Sequence, residues 1–234
     1  MTSMQPLGQN EKASGRRLRK GAVMNPPTDT DLQSALTAEF LALADLLDAL
    51  PETEWDTPSL CAGWRVREVV AHMTMPVRYS VEQFQAELRD CEFDFTRLSN
   101  RVASRDGALP VSVLVGNLRD DVLHRWTPPG GGYPGALNHA VIHGLDISVP
   151  LGVPRRASDD TIAIVLDDLT RGGAHAHFGV DLDGINLRAT DIDWSFGSGR
   201  PIKGRAEDLA LVVCGRTLPG GRVDGELARQ GTGN

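Results

Sequence analysis

Two histidines four residues apart suggest the first chemistry in this chain. In the run Asn138-His139-Ala140-Val141-Ile142-His143-Gly144-Leu145-Asp146, an i,i+4 spacing on a helix stacks both imidazoles on one face, with Cβ atoms about 5–6 Å apart. Both can then reach one metal ion. The spacing alone leaves two readings open, shared ligation or two unrelated core or surface histidines. Asp146 favours ligation, because three residues after His143 it is placed to accept the second ring N–H of a ligand histidine or to sit beside the metal. The best third ligand is His72, on a different helix among Val69, Val70, Ala71 and Met73, where an unpaired imidazole is costly to bury. A lone histidine in such a place is more often a satisfied core residue. Three neutral imidazoles leave a tetrahedral zinc with one open position, the pattern of a catalytic site; nickel or iron also suits three nitrogens.

Other polar residues carry weaker signals. His124, beside Arg125, is expected at the surface. His175 and His177 form a rival pair at i,i+2, but they lie beside Gly172-Gly173 without a supporting carboxylate and read as a solvated helix end. Asp120-Asp121 and Asp167-Asp168 read as solvated charge. Cys61 has no neighbouring cysteine, so a small buried hydrophobe is the better reading than a redox thiol.

The elements that must position these residues follow from apolar periodicity. Leu32, Leu36, Phe40, Leu43, Leu47 and Leu50 recur at three and four, with Asp29, Thr30 or Asp31 as N-cap and Pro51 as the stop, which predicts an amphipathic helix over 30–50. After a turn-rich stretch ending at Gly63, Val66, Val69, Val70, Met73 and Val77 predict a second helix carrying His72, with a kink or break at Pro76 and resumption over 78–88. A weaker pattern covers 92–105. Pro110 is expected in the first turn of a helix reaching Trp126. The Pro- and Gly-rich run 128–135 breaks the chain, and residues 136–151 form the helix that carries His139 and His143, ending at Gly152 and Pro154. Successive helices with short connections make an antiparallel bundle the economical architecture. Beyond Pro154 the texture changes: a helix over 159–174, two short alternating runs at 185–190 and 193–196, and a final helix over 206–214 predict a small α+β domain at about 155–230. The expected organisation is a basic, disordered leader over 1–27, a helical bundle over 28–153, and that C-terminal domain.

Composition excludes several classes. The chain has 234 residues and a formal net charge of −7. Residues 1–24 hold five basic side chains and one acid, so the leader is at +4 and the body at −11. An acidic body repels phosphate backbones, which excludes nucleic acid as a partner. The Arg16-Arg17 pair is not followed by the apolar stretch of an export signal, and Met24 is an alternative start. No run approaches the roughly 18 apolar residues of a membrane span. Three widely spaced cysteines indicate neither a disulfide framework nor a Cys-rich zinc site. A reducing cytoplasm and a monomer or homodimer are the expectations.

Residues 58–72, Pro-Ser-Leu-Cys-Ala-Gly-Trp-Arg-Val-Arg-Glu-Val-Val-Ala-His, resemble the C-x-G-W-x-V-R-[DE]-hydrophobic-hydrophobic-A-H signature of mycothiol-dependent maleylpyruvate isomerase-like proteins, a branch of the DinB-like four-helix bundle superfamily. His143-Gly144-Leu145-Asp146 is similar to that family's H-G-W-D helix, with Leu145 in place of Trp. Gly204 to Leu209 and Gly215-Arg216 resemble the small C-terminal domain many members append. The resemblance spans about residues 28–226. It implies a mainly α fold, a DinB-like antiparallel four-helix bundle followed by a small α+β domain. It also implies metal ligands at His72, at His143 and four residues before it, where the family usually has Glu and this chain has His139. That exchange makes the site one unit more positive and separates it from the isomerase pattern.

The implied cosubstrate is mycothiol, activated as a thiolate for isomerisation of, or S-transfer to, an electrophilic small molecule. Asp146 and Arg216 are the expected catalytic side chains, with Arg216 or Arg222 holding a substrate carboxylate through a bidentate contact. Two alternatives stand beside this reading, a zinc-hydroxide hydrolase and a non-catalytic metal-binding stress protein.

Overall fold

The computed structural model describes residues 26–153, 157–173, 178–225 and 227. All but the last two residues of the expected basic leader, together with His175 and His177, lie outside these residues. The first helix, α1 (Asp29–Asp48), begins one position earlier than its apolar pattern requires. Thr28 is its N-cap: its hydroxyl accepts from the Asp31 backbone N–H, and the Asp31 carboxylate accepts from the Thr28 N–H at 2.9 Å, a reciprocal capping box. The expected caps at positions 29–31 are thus corrected to Thr28. Leu32, Leu36, Phe40, Leu43 and Leu47 are all buried along one face, each contributing about 1.5–3 kcal/mol of apolar burial. Phe40→Ala removes the largest of them, at a cost of about 3–5 kcal/mol.

Helix α2 (Val66–Met73) carries His72 and stops at Thr74, whose hydroxyl turns back to the Val70 carbonyl at 2.7 Å. The break expected at Pro76 is present. Pro76 sits in the first turn of a short α3 (Met75–Arg78), where its missing N–H costs nothing. The chain resumes as a separate α4 (Val81–Asp90) behind its own Ser80/Gln83 capping box, and α5 (Phe95–Asp106) follows. The single helix expected from Pro110 to Trp126 is two, α6 (Val111–Leu118) and α7 (Asp121–Arg125). Asp120 divides them, because its carboxylate accepts the Val122 N–H at 2.8 Å and starts a new helix. Helix α8 (Gly132–Leu151) begins four residues before Ala136 and ends on Gly152 in the left-handed conformation, φ 65°.

Helices α1, α2, α8 and the α5–α6 arm form an antiparallel four-helix bundle, in which α1 packs on α8 and α6, and α2 on α5 and α8. Helix α9 (Asp159–Asp168) leans on α8 and runs into a π turn over Leu169–Gly173, rather than continuing as α-helix. A four-stranded sheet follows, in the order β2 (Ser195–Gly197), β1 (Ile185–Ala189), β3 (Arg200–Gly204), β4 (Val223–Asp224). The strands β1 and β3 pair in parallel, and the two flanking pairs are antiparallel. Strands β3 and β4 were not among the expected alternating runs: one holds a proline and the other is two residues long. Gly199 is required at the β2–β3 turn, because at φ 121° a Cβ would meet the Gly184 carbonyl oxygen at 2.2 Å.

Helix α10 (Ala206–Val213) packs on this sheet, on α9 and on α8, so one apolar core runs through both halves of the chain. Asp167 is exposed, as expected of solvated charge, and Asp168 is half-buried, but both carry specific contacts. Asp167 accepts from Trp194 Nε1 at 2.9 Å and Asp168 from Asn138 at 2.6 Å, and both contacts pin the C-terminal part to α8 or to α9. No helix among the described residues is long and apolar enough to cross a membrane.

Candidate metal centre

Helices α2 and α8 bring the three histidines together. His139 Nε2 lies 3.2 Å from His72 Nε2, and the ring centroids are separated by 5.2 Å (His72–His139), 5.1 Å (His72–His143) and 4.7 Å (His139–His143). One ligating atom from each falls within 4.8 Å of the others. The donor set fits a divalent metal. Two nitrogens bonded at roughly 2.0–2.1 Å to a tetrahedral zinc stand about 3.3 Å apart, close to the separation observed between His72 and His139. Burial, with the charges of His143 and Arg78 adding to it, brings His72 down to about 3, and burial lowers His139 well below the ordinary imidazole range. Both rings are therefore neutral near pH 7, the form in which imidazole ligates.

The three rings are not held alike. The Nδ1 atoms of His72 and His139 are buried with no partner among the described residues, whereas His143 Nδ1 lies 3.0 Å from Asp146 Oδ2. Asp146 is fully buried and accepts two bonds from Arg216, Nε to Oδ1 and Nη2 to Oδ2, both at 2.8 Å. Burial alone would raise this carboxyl, but the Arg216 and His143 contacts outweigh it and hold it far below the usual carboxylate range. The guanidinium fork of Arg216 is thus filled by Asp146. The bidentate hold on a substrate carboxylate expected of Arg216 is not available in this arrangement. Arg222, the other candidate for that task, pairs with buried Asp208 at 2.7 Å.

Cys61 belongs to the same cluster, which corrects its reading as a simple buried hydrophobe. Its thiol donates to Asp146 Oδ2 at 3.0 Å, and its sulfur lies 3.7 Å from both His143 Nδ1 and Arg216 Nη2. The loop that delivers it is closed by a bridge between Pro58 and Arg65, turns at Gly63 (φ 79°), and is tied to α8 by the Leu60 N–H on the Asp146 carbonyl at 3.0 Å. Burial, reinforced by the Asp146 charge, pushes the Cys61 thiol well above its ordinary value, so it stays protonated.

His124 is not at the surface. It is buried, stacks on Phe40, and its Nε2 lies 3.0 Å from the Leu118 carbonyl at the broken end of α6. That carbonyl would otherwise be an orphaned acceptor.

An aromatic rim around the histidines was not anticipated. Trp64 lies 5.1 Å and Phe95 6.4 Å from His72, centroid to centroid, and Trp126 lies 5.7 Å from His139. Phe95 opens α5 behind the N-cap Asp94, which follows Glu92 and Phe93, two successive residues in the left-handed region (φ 58° and 62°), a conformation that costs about 1–2 kcal/mol per residue outside glycine.

Known proteins resemble this chain at two levels. Residues 36–126 match the family model of the mycothiol maleylpyruvate isomerase N-terminal domain, a stretch that contains His72 and ends before His139 and His143. The fold matches the crystal structure of the mycothiol-dependent maleylpyruvate isomerase with a TM-score of 0.59 at 14% identity, covering 87% of this chain and 98% of that one. A histidine-to-alanine mutant of that isomerase matches with a TM-score of 0.56 at 12% identity over the same shares. Comparison with curated proteins gives no match. The chain thus shares the fold of the mycothiol-dependent maleylpyruvate isomerase, and residues 36–126 are similar to the mycothiol maleylpyruvate isomerase N-terminal domain.

Proposed function

We propose that this chain is a mycothiol-dependent enzyme of the maleylpyruvate isomerase-like type that holds a divalent metal, zinc by preference, on His72, His139 and His143. The observation that carries the proposal is the 3.2 Å approach of the Nε2 atoms of His72 and His139, neutral imidazoles from different helices, with a third imidazole alongside. A divalent metal held there would acidify a bound thiol, giving a nucleophile at neutral pH that adds to an electrophilic double bond and is either expelled after rotation, which is isomerisation, or retained, which is S-transfer.

The chain's own residues prepare this site. Asp146 fixes His143 with Nδ1 turned to the carboxylate, which leaves Nε2 for ligation. Arg216 clamps Asp146 from the C-terminal half, so the ring orientation depends on how α10 and its following residues seat on α8. We assign Asp146 and Arg216 as positioning residues rather than as groups that touch substrate. Cys61 keeps its proton on Asp146, so the nucleophile is an external thiol and not the chain's own. The hydrolytic alternative requires a free general base, and Asp146 is already committed to three partners.

Calorimetric titration of mycothiol into metal-loaded and chelator-stripped protein tests the proposal. The thiol should bind only the loaded form, and His139→Glu should keep zinc while shifting the pH dependence of thiol binding upward, because an added anionic ligand raises the pKa of the bound thiol. Equal affinity in both forms, or an unshifted profile in His139→Glu with zinc retained, would leave metal storage as the better account.

A further inference from the structure

Three aromatic side chains from three separate elements meet around the histidines: Trp64 from the Cys61 loop, Phe95 from the first turn of α5, and Trp126 from the end of α7. Trp64 is fixed by its Nε1–H bond to Asn100 Oδ1 at 2.9 Å, and it and Phe95 flank His72 while Trp126 flanks His139. Phe95 is 53% exposed, so an apolar ring stands in solvent beside an otherwise buried imidazole, and the strained turn at Glu92 and Phe93 leads directly into its helix. An exposed aromatic surface at a polar centre is area that a ligand can cover.

The charges around this rim point the same way. Arg216 and Arg78, two arginines beside this cluster, are both committed. Arg216 is held by Asp146, and Arg78 donates to the Asp106 carboxylate, to the Thr74 hydroxyl and to the Ala71 carbonyl. Neither offers a free guanidinium to a bound molecule. From the convergence of these rings we infer that the acceptor taken by this site is a flat aromatic electrophile, packed among Trp64, Phe95 and Trp126. The inference rests on the proposed thiol chemistry for the reaction itself, while the rim's preference for flat apolar ligands stands on its own geometry.

Direct binding without thiol tests it. The probes are 2-naphthol as the flat uncharged ligand, maleate as the small dicarboxylate, and mycothiol in a separate arm, each titrated by calorimetry into zinc-loaded wild type, Phe95→Ala and Trp126→Ala. Phe95 is exposed, so its replacement leaves the fold intact, checked by circular dichroism and zinc content. The expected result is saturable naphthol binding, weakened roughly fivefold or more in each variant, with mycothiol affinity unchanged and maleate the weaker ligand. Maleate binding more tightly than naphthol, or variants that lose mycothiol while keeping naphthol, would overturn the inference. Should naphthol behave as expected in a wild type that takes up no zinc, the metal reading fails and the aromatic acceptor site stands.

Discussion

Asp106 and Asp146 are two buried carboxylates clamped by arginine, and the contrast between them separates architecture from chemistry. Asp106 receives Arg78, Arg105 and the Tyr79 hydroxyl, the last at 2.7 Å, and Tyr79 in turn is held by Arg105. All of these residues lie on or between α3 and α5, and the cluster's work ends in joining those elements. Asp146 receives Arg216, Cys61 and His143, drawn from both halves of the chain. One of these partners, His143, in turn packs against two further imidazoles. A buried ion pair is weak evidence of function by itself; what distinguishes Asp146 is an adjoining set of three imidazole nitrogen donors whose ligating atoms lie within 4.8 Å of one another.

The largest expected difference between the two is in stability. Asp146 is fully buried, so Asp146→Asn strands Arg216 and should cost about 3–5 kcal/mol in chemical denaturation. A loss below about 1 kcal/mol would show that the cluster is hydrated and that the orienting role given to Asp146 is wrong. Next in size is the linkage to metal. Zinc at one hundred times its dissociation constant should stabilise wild type by about 2.7 kcal/mol, and His143→Ala should abolish that gain while Asp106→Asn retains it. An equal zinc response in His143→Ala would remove His143 from the ligand set.

Asp106→Asn itself should cost about 1–3 kcal/mol, without loss of zinc. The smallest effect is its pH dependence. Burial opposes ionisation of Asp106, but the Tyr79 and arginine contacts win and lower its pKa. Its stabilisation is therefore fully present above the unfolded-state value of about 3.9 and is lost as pH falls through the folded value. The stability gap between wild type and Asp106→Asn should narrow below about pH 4, and a gap constant to pH 2 would mean the carboxylate contributes by packing alone.

Much of this was legible in the sequence, for physical reasons that also mark the boundary. The helical faces of α1, α2 and α8 repeat at 3.6 residues, and His139, His143 and Asp146 occupy one helix, so their juxtaposition is set by local geometry. His72 could be matched to them because its burial among apolar neighbours left few other partners. What was not legible is non-local. The loop tie from Leu60 to Asp146 places Cys61 in the cluster, and no spacing announces it. His124 looked exposed beside Arg125, yet it turns inward to a carbonyl freed by a helix break at Asp120. Arg216 was singled out by resemblance, but its partner lies on another element, and only the fold shows that its fork is filled. Trp64, Phe95 and Trp126 each belong to a different segment, and only their convergence makes a rim.

Whether His72, His139 and His143 form one metal centre is read most directly from the zinc stoichiometry of purified wild type, His72→Ala, His139→Ala and His139→Glu after equilibration with one equivalent of zinc. One zinc per chain is expected in wild type and in His139→Glu, where a carboxylate oxygen replaces the imidazole, with most of the metal lost from both alanine variants. Full occupancy in His72→Ala or His139→Ala would contradict the account.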